Sequence, residues 1–259
     1  MEEITSRNNP AIKSAAALKE LKERRKTGLF LLEGARLCKD AALNGIKIKQ
    51  FFVTERAKEK YPVEFSLLEE KSERAYLIPE SVSEKLTDTK SSQGFFAVCA
   101  ENGVATEINP SGMYVFTDNV QNPDNLGAVV RTAEAMGADG IIVNSGCDIH
   151  SPKALRASMG ALLRFPVIST EFPLQLLEDC KRKNMKIFAS VVDAGADSVT
   201  DISKSGGAVL IIGNEGNGVS EEILDASTDR ITIPMKGKAE SLNASAAATI
   251  LIWEFMKDR

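Results

Sequence analysis

Hydrophobic and polar positions alternate along the chain with two spacings, one typical of strands and one of helices. In the first hundred residues, apolar side chains at near-helical spacing predict helices over 10–25 and 34–43. Strands are predicted over 29–32, 48–54, 75–78 and 94–100. The segment LTDTKSSQG at 86–94 is predicted to be a polar loop. These alternating elements indicate a small α/β unit.

The pattern after residue 112 is more regular. Buried strands are predicted over 113–117, 140–144, 186–192, 209–212 and 231–234, and near 167. Helices are predicted over 125–136, 174–183 and 242–256, and from about 151 and 220 onward. Asn125 and Ser241 are the predicted N-caps of two of these helices. Strands that alternate with helices predict a largely parallel sheet with helices on both faces.

A stretch poor in large apolar residues, ENGVATEINPSG at 101–112, separates the two halves. We therefore predict an N-terminal domain over 1–101, a linker over 102–112 and a C-terminal domain over 113–259.

Composition narrows the classes of protein that fit. With 43% hydrophobic and 26% charged residues, the chain is typical of globular proteins, and it has no apolar run of membrane-spanning length. The polar start MEEITSRNNP does not resemble a secretion signal. Four scattered cysteines without a C-x-x-C pair, and the single histidine His150, argue against a metal site, a disulfide framework or a histidine-centred triad. We expect reduced thiols, no metal, no membrane and a cytoplasmic location.

Charge is unevenly distributed along the chain. Residues 1–60 carry 14 lysines and arginines against 8 acidic residues, whereas the remainder carries 18 against 28. A basic N-terminal part on an acidic body favours an anionic partner such as nucleic acid, although a solvated face of helical lysines is the ordinary alternative.

The first segment that suggests chemistry is DNVQNPDNLGAVVRTAEAMGADGIIV at 118–143. Gly127, placed in the first helical turn, costs about 1 kcal/mol of helix propensity relative to alanine, so it suggests the close approach of a ligand or of another backbone. Arg131 follows one turn later on the same face, where a phosphate is a natural partner. A solvent-facing arginine with ordinary packing is the alternative.

The second segment, VLIIGNEGNGVSEEIL at 209–224, places a glycine-rich turn after a buried strand. Such turns at the carboxyl ends of strands hold ligands in open α/β sheets. The order G-x-x-G-x-G with the acid Glu215 matches neither a dinucleotide fingerprint nor a Walker loop, so it favours a nucleoside over a pyrophosphate. A plain turn is the alternative.

The third segment, ITIPMKGKAESLNASAAATILIWEF at 231–255, runs from a strand that stops at Pro234 through a polar loop into a helix. Only small side chains occupy 244–248, as tight packing or a dimer interface requires, and the free N–H groups at the helix start could hold an anion. An ordinary docking helix is the alternative.

The three segments together resemble the SpoU (TrmH-type) branch of the SPOUT RNA methyltransferases. The similarity lies in N-x-G-x-x-x-R, G-N-E-G-x-G and I-P-M…S-L-N, in this order, and it covers about 113–259. The N-terminal half resembles the substrate-binding domain of that family. The similarity lies in three segments: ITSRNNPAIK at 4–13, RRKTGLFLLEGARL at 24–37 and LTDTKSSQGFFAV at 86–98.

This resemblance implies an α/β SPOUT domain with a parallel sheet and a deep trefoil knot, preceded by a small ribosomal-protein-like RNA-binding domain. It also implies a homodimer, with active sites completed at the interface, that transfers a methyl group from S-adenosylmethionine (SAM) to a ribose 2′-hydroxyl of structured RNA. We expect 23S rRNA as the target, with tRNA as the alternative. The positions that match catalytic or substrate-positioning residues are Asn125, Arg131, Glu215, Ser241 and Asn243. The cofactor-binding positions are Gly213, Asn214, Gly216, Gly218, Ile233, Met235 and Leu242.

The family's candidate for activating the hydroxyl matches Arg131. A guanidinium normally stays protonated, so we expect Arg131 to hold the RNA phosphate and to stabilise the developing alkoxide. The sequence leaves open whether Glu215 orients the substrate or lies near the sulfonium. Two other classes remain as alternatives: a catalytically silent RNA-binding protein of the same fold, and a nicotinamide-dependent oxidoreductase, for which no early G-x-G-x-x-G is present.

Overall fold

The computed structural model describes residues 1–101, 107–193 and 195–259. Its strands are β1 (Glu2–Glu3), β2 (Leu29–Glu33), β3 (Ile48–Val53), β4 (Ala75–Leu77), β5 (Phe95–Ala100), β6 (Met113–Asp118), β7 (Gly140–Asn144), β8 (Val167–Thr170), β9 (Lys186–Ser190), β10 (Asp197–Ser198), β11 (Ala208–Ile212) and β12 (Asp229–Thr232). Its helices are α1 (Pro10–Ala17), α2 (Leu21–Thr27), α3 (Ala35–Leu43), α4 (Glu55–Lys60), α5 (Pro62–Lys71), α6 (Glu80–Leu86), α7 (Pro123–Ala135), α8 (Pro152–Ala157), α9 (Pro173–Arg182), α10 (Glu221–Asp225) and α11 (Ala244–Met256), with a 3-10 turn at Ala161–Leu163.

The chain divides into two compact units. The first comprises Met1–Gly103 together with His150–Arg164, and the second comprises Val104–Ile149 together with Phe165–Arg259. The segment 150–164, which the sequence analysis assigned to the C-terminal domain, therefore groups with the first unit. Residues 102–106 of the predicted linker lie outside the described residues, and the domain boundaries taken from the sequence stay a prediction.

The first unit is built on a five-stranded sheet in the order β1-β4-β3-β5-β2. β1, β4 and β3 are parallel, and β5 runs antiparallel to both β3 and β2. One core cluster fills one side of this sheet, with Ile12, Phe52 and Phe96 fully buried within it. The single histidine, His150, belongs to this unit and stacks on Phe30 with ring centroids 4.6 Å apart.

The helix predicted over 10–25 is two helices, α1 and α2, so that prediction was wrong in its extent. The buried guanidinium of Arg24 donates to the carbonyl oxygens of Leu18 and Lys19, both at 2.7 Å. A charged donor thus satisfies the carbonyls that the break in the helix leaves unpaired. Because this donor lies six residues further along the chain, the apolar spacing alone does not reveal the break.

The second unit contains a seven-stranded sheet in the order β10-β12-β9-β11-β6-β7-β8, in which each neighbouring pair of strands is parallel. The central strands β6 and β11 are buried along their whole length, as continuous apolar runs such as VLII require. The predicted parallel α/β sheet is confirmed. Because parallel strands end at the same edge, the segments after β6, β11, β9 and β12 are neighbours there.

Two predicted N-caps lie at the wrong residues. α7 begins at Pro123, and its N-cap is Asn122, whose side chain accepts from Asp124 N at 2.9 Å. Asn125 is therefore inside the helix, and Gly127 lies buried in the second turn rather than the first. Proline suits the first helical position because it lacks an N–H that would stay unpaired there. Similarly, α11 is capped by Asn243, two residues after Ser241.

In the part of the chain that the structure describes, no helix is long and apolar enough to cross a membrane, and no cluster of metal-ligating side chains is found.

Each of the four cysteines is a thiol rather than half of a disulfide, and three of them are buried. Burial raises the pKa of the Cys38 and Cys99 thiols, and it raises the pKa of Cys180 to about 11. Because the thiolate is the reactive form, we expect a disulfide reagent at pH 8 to modify only the half-buried Cys147 in the native protein, and all four thiols after denaturation. Mass spectrometry of the labelled peptides checks this, and rapid labelling of native Cys180 would contradict it.

Candidate active site

The candidate site lies at the carboxyl edge of the second sheet. β6 and β11 are paired in register, with Thr117 opposite Ile212, so the loop after β6 and the turn after β11 emerge side by side. These are the segments that contain the first and second motifs of the sequence. The strand pairing therefore brings together residues about 90 positions apart.

Asn214 stabilises the glycine-rich turn through hydrogen bonds of both its backbone and its side-chain amide. Its backbone N–H donates to Gly218 O at 2.8 Å, and Gly218 N donates back to Asn214 O at 3.0 Å. Its side-chain oxygen accepts from the N–H groups of Gly216 and Asn217 at 2.9 and 3.0 Å. Its side-chain nitrogen donates to Asn119 O at 2.8 Å, which fastens this turn to the loop after β6. The structure thus gives Asn214, predicted as a cofactor contact, a role in holding the turn.

Gly213 occupies a position with no room for a side chain. A Cβ built there would lie 2.2 Å from the carbonyl carbon of Gly218 and 2.3 Å from the nitrogen of Val219. Both are backbone atoms, so the neighbours could not yield by a side-chain rotation. The tight return of the chain after β11 therefore requires glycine at this position.

The carboxylate of Glu215 joins this turn to the start of α7. It accepts hydrogen bonds from Gln121 N at 3.2 Å, from Asn122 N at 3.1 Å and from Asn125 Nδ2 at 2.8 Å. Partial burial raises the pKa of Glu215. The hydrogen bonds from Asn125 and from the backbone N–H groups together lower it by more than burial raises it, so the pKa lies below its ordinary value. Glu215 is therefore ionised at neutral pH.

Asn125 connects Glu215 to the start of α11. Its side-chain oxygen accepts from Asn243 Nδ2 at 3.1 Å. Asn243 in turn caps α11, accepting from Ser245 N at 3.0 Å and from Ala246 N at 3.3 Å. Three predicted catalytic or substrate-positioning side chains, one from each motif, thus form a single hydrogen-bonded chain, Glu215–Asn125–Asn243.

A buried carboxylate behind this chain was not singled out from the sequence. Asp118 ends β6 and is 3% exposed. It accepts from Asn144 Nδ2 at 2.9 Å and from Ser220 N at 2.8 Å, so it ties the ends of β6 and β7 to the residue that precedes α10. The sequence signal that could have identified Asp118 is the Asp-Asn pair that follows the apolar run of β6. Gln121 and Asn122, whose N–H groups hold Glu215, were missed as well.

A cavity opens beside the ends of β9 and β12. Four predicted site residues line it: Ile233, Met235, Ser241 and Leu242. Ser190 at the end of β9, and Val191 and Val192 directly after it, line the same cavity but were not predicted from the sequence. Their contribution depends on the position of β9 between β11 and β12, a strand order that the sequence pattern does not contain.

Arg131 stands apart from the hydrogen-bonded chain. It is exposed on α7, six residues beyond Asn125, and among the described residues it forms no hydrogen bond or ion pair. The structure therefore does not place its guanidinium in contact with Glu215, Asn125 or Asn243. A free, exposed guanidinium on this helix is available to an anionic partner.

The ionised state of Glu215 gives a testable pH dependence. A carboxyl whose pKa is lowered in the fold adds stability above its unfolded pKa of about 4.3, and this stability is lost as the pH falls through the folded pKa. Glu215→Gln should therefore lower the free energy of unfolding by about 1 kcal/mol or less at pH 7, because the group is largely exposed. The difference from wild type should shrink below about pH 4.

Urea unfolding at a series of pH values measures this effect. Glu69→Gln is the control, since Glu69 is an exposed acid on α5 without a partner among the described residues. If Glu215→Gln had a free energy of unfolding that lay below that of the wild type by the same amount from pH 7 to pH 3, the charge of the carboxylate would not be the source of its contribution to stability.

Comparison with known proteins places these features in one family. Residues 112–253 match the family model described as SpoU rRNA Methylase family, and residues 9–97 match an MRM3-like substrate binding domain. The chain is 31% identical to the 23S rRNA (guanosine(2553)-2′-O)-methyltransferase RlmP of Bacillus subtilis (strain 168) over 98% of both chains. It is 27% identical to a 23S rRNA (uridine(2479)-2′-O)-methyltransferase of Streptomyces viridochromogenes, over 99% of this chain and 92% of that protein.

Among solved structures, the AdoMet-bound rRNA methyltransferase from Sinorhizobium meliloti is similar with a TM-score of 0.85 and 29% identity, over 99% of this chain and 98% of that chain. The family match spans more than half of this chain and contains each of the three motifs that the strand order brings together. The chain therefore belongs to the SpoU rRNA methylase family.

Proposed function

We propose that this protein transfers a methyl group from SAM to a ribose 2′-hydroxyl of 23S rRNA. The observation that carries the proposal is the hydrogen-bonded chain Glu215–Asn125–Asn243, which assembles all three family motifs at one sheet edge. Similarity along nearly the whole chain to an enzyme named for 23S rRNA supports the choice of target. An AdoMet-bound structural relative supports the choice of cofactor.

The cavity beside β9 and β12 fits the cofactor. Its walls are largely apolar, with Ile233 and Leu242 beside Val191, as a flat adenine ring requires. Ser241 and Glu240 supply polar groups at the same cavity. Backbone atoms of the loops after β9 and β12 would hold the nucleoside, and Gly213 lies at the end of β11, next to β9 in the sheet.

The chain's own residues prepare and orient the acceptor. When bound, SAM would supply an electrophilic methyl group: the ribose oxygen would gain the methyl as the S–CH3 bond breaks, S-adenosylhomocysteine would leave, and the hydroxyl proton would pass to solvent. Arg131, exposed on α7 and without a partner among the described residues, binds an RNA phosphate and stabilises the negative charge that develops on the attacking oxygen. Glu215, fixed by three N–H donors, orients the ribose through its remaining acceptor positions.

A homodimer is part of the proposal. The outer face of α11 leaves Ile250 40% exposed and Trp253 52% exposed, although other residues of the same helix pack against α7. Large apolar side chains grouped on one helix face mark an interaction surface, and a second copy of the chain would cover it. Light scattering should give twice the mass of one chain, and Trp253→Arg should give a monomer. A wild-type monomer would contradict this assembly.

A trefoil knot near the C-terminus is part of the proposal, because membership of the SpoU family implies one. β12 lies between β10 and β9, so the chain returns between strands that it has already formed. We expect a chain pulled from both ends to stop short of its full contour length by the residues trapped in the knot. Full extension would contradict the knot.

The proposed location is the cytoplasm, where the target rRNA is found and where the buried thiols stay reduced.

Incubation with tritiated SAM and unmodified total RNA tests the function. We expect label in the 23S band after size separation, and the methylated nucleotide then maps to a ribose by resistance to alkaline hydrolysis. RNA that already carries the modification is the control. Label in tRNA would move the target to tRNA. SAM binding by calorimetry without label in any RNA or ribosomal particle would favour the catalytically silent RNA-binding protein.

A further inference from the structure

A second cavity, of about 300 Å³, lies within the first unit and outside the candidate active site. It opens where the N-terminus of α3, the loop after α6 and the end of α8 meet. The residues that decide its chemistry are Glu33, Arg36, Leu37, Gln93, Arg156 and Met159. The volume is at the lower end of those that hold small organic ligands.

The walls of this cavity are held in place by the chain itself. The Glu33 carboxylate accepts from Asp88 N at 2.8 Å and from Thr89 Oγ1 at 2.7 Å, which fixes the loop after α6. Arg156 Nη2 donates to the Asp88 carboxylate at 2.7 Å, and Ala35 N donates to Gln93 Oε1 at 3.0 Å. Three segments that are distant in the sequence, the β2–α3 junction, the loop after α6 and α8, thus form a preorganised concave surface.

Arginine side chains give the cavity its affinity for an anion. Arg36 is exposed and forms no hydrogen bond or ion pair within the described residues. Arg156 Nη1 is buried and has no hydrogen-bond partner among the described residues, although Nη2 of the same side chain is paired with Asp88. The Arg156 side chain as a whole is 30% exposed and lines the cavity, so an anion there would lie near two guanidinium groups.

The start of α3 adds to this preference. Its N-cap is Gly34, which offers no side chain to the free N–H groups of the first turn. Within the described ranges, Ala35 N is the only one of these groups that a side chain satisfies, that of Gln93. The positive end of the helix dipole therefore points toward the same volume as Arg36.

The remaining wall is apolar. Leu37 and Met159 line it, and Met159 is 37% exposed. Met159 has a φ of +51°, a backbone conformation that is unfavourable for a residue with a side chain. One exposed and one half-buried apolar side chain beside arginines match a nucleotide, whose base has a flat apolar face and whose phosphate is charged.

We propose that this cavity binds one unpaired nucleotide of the substrate RNA, with its phosphate on Arg36 and Arg156 and its base against Leu37 and Met159. This inference rests on the proposed function, since it assigns the RNA a second anchoring point in the first unit. A stacked, extruded nucleotide also explains how a small domain can select a structured region of a long RNA, because the base is accessible only where the helix is interrupted.

Charge removal tests the phosphate contact. Arg36→Gln should raise the KM for a 23S rRNA transcript about tenfold and leave kcat at saturating RNA unchanged, because the contact forms before the reaction and persists through it. The slope of log Kd against log salt should fall by about 1, as expected when one phosphate contact is lost. Arg156→Gln should act in the same direction.

Lys71→Gln is the matched control, because Lys71 is an exposed cation on α5 that pairs only with its neighbour Glu70 among the described residues. It should change the KM less than about twofold. SAM binding by calorimetry should be equal in the wild type and in each of these variants, which shows that the chain is folded. Equal KM values and salt slopes for Arg36→Gln and Lys71→Gln would overturn the proposal.

Crosslinking gives a readout independent of methylation. With a transcript that contains 4-thiouridine, peptides bearing residues 34–37 and 156–159 should carry the crosslinked nucleotide, and Leu37→Ser should reduce that yield. Crosslinks at these peptides without methyl transfer would contradict the proposed function and leave the cavity assignment standing. Methyl transfer with crosslinks confined to other peptides would overturn the cavity assignment.

Discussion

Replacing Arg131 by lysine is expected to lower kcat about a hundredfold at saturating SAM and RNA, the loss typical when one preorganised donor to a developing oxyanion is removed. Lysine keeps the charge but not the planar fork that can hold a phosphate and a ribose oxygen together. Arg131 has no partner among the described residues, so the substitution leaves the hydrogen-bonded chain at the sheet edge intact. Single-turnover methylation measures the rate of the chemical step.

The same variant separates two roles for this residue. A general base must be deprotonated, and lysine loses its proton more readily than arginine. If Arg131 served as the base, Arg131→Lys would keep or gain activity, with a rate that rises with pH. Arg182→Lys on α9 is the control, because that arginine pairs with Asp179 on the surface. Full activity in Arg131→Lys would contradict the proposed phosphate and oxyanion contact.

A second large effect is expected at the glycine-rich turn. Gly213→Ala should lower the free energy of unfolding by about 3 kcal/mol, since the added methyl would meet backbone atoms at 2.2 and 2.3 Å. A loss of this size corresponds to a fall in Tm of about 10 °C for a chain of this length. The turn after β11 should also shift, and SAM affinity should fall with it.

Gly216→Ala is the matched control for this substitution. A Cβ at Gly216 would meet only Asn214 Oδ1 at 3.6 Å, which is ordinary contact. Calorimetric unfolding of both variants, with and without SAM, distinguishes a steric effect from loss of a cofactor contact. If Gly213→Ala were as stable as Gly216→Ala, the tight turn would not be what requires glycine.

Element positions were predicted well where burial is continuous. β7 was predicted to the residue, and β6 and β11 to within one residue, because an uninterrupted apolar run has few alternatives in an α/β chain. Helix α5 was missed because Leu68 is its only buried residue, so no apolar stripe repeats along it. The break between α1 and α2 depends on the buried Arg24, and tertiary hydrogen bonds of this kind leave no periodic signal.

The sequence predicted the motifs that form the candidate site, but it did not predict the hydrogen bonds between their side chains. The sequence singled out Glu215, Asn125 and Asn243 separately, and only the strand pairing shows that their side chains touch. Asn125 and Ser241 were predicted as caps, whereas Asn122 and Asn243 perform that role. Each segment offers more than one residue type that can cap a helix, Asn122 and Asn125 in the first and Ser241 and Asn243 in the third, and local propensity does not choose among them. The roles of the individual site residues remain predictions.

The Asn243 side chain forms hydrogen bonds both with the first turn of α11 and with the side chain of Asn125. It directly follows Leu242, which lines the cavity beside β9 and β12. A ligand that orders Leu242 therefore also limits the positions open to Asn243, Asn125 and Glu215. We therefore expect cofactor and RNA to be thermodynamically linked, with each changing the affinity of the protein for the other by the same factor. Weakening the Asn243–Asn125 hydrogen bond would lower that shared factor while leaving the affinity for either ligand alone nearly intact.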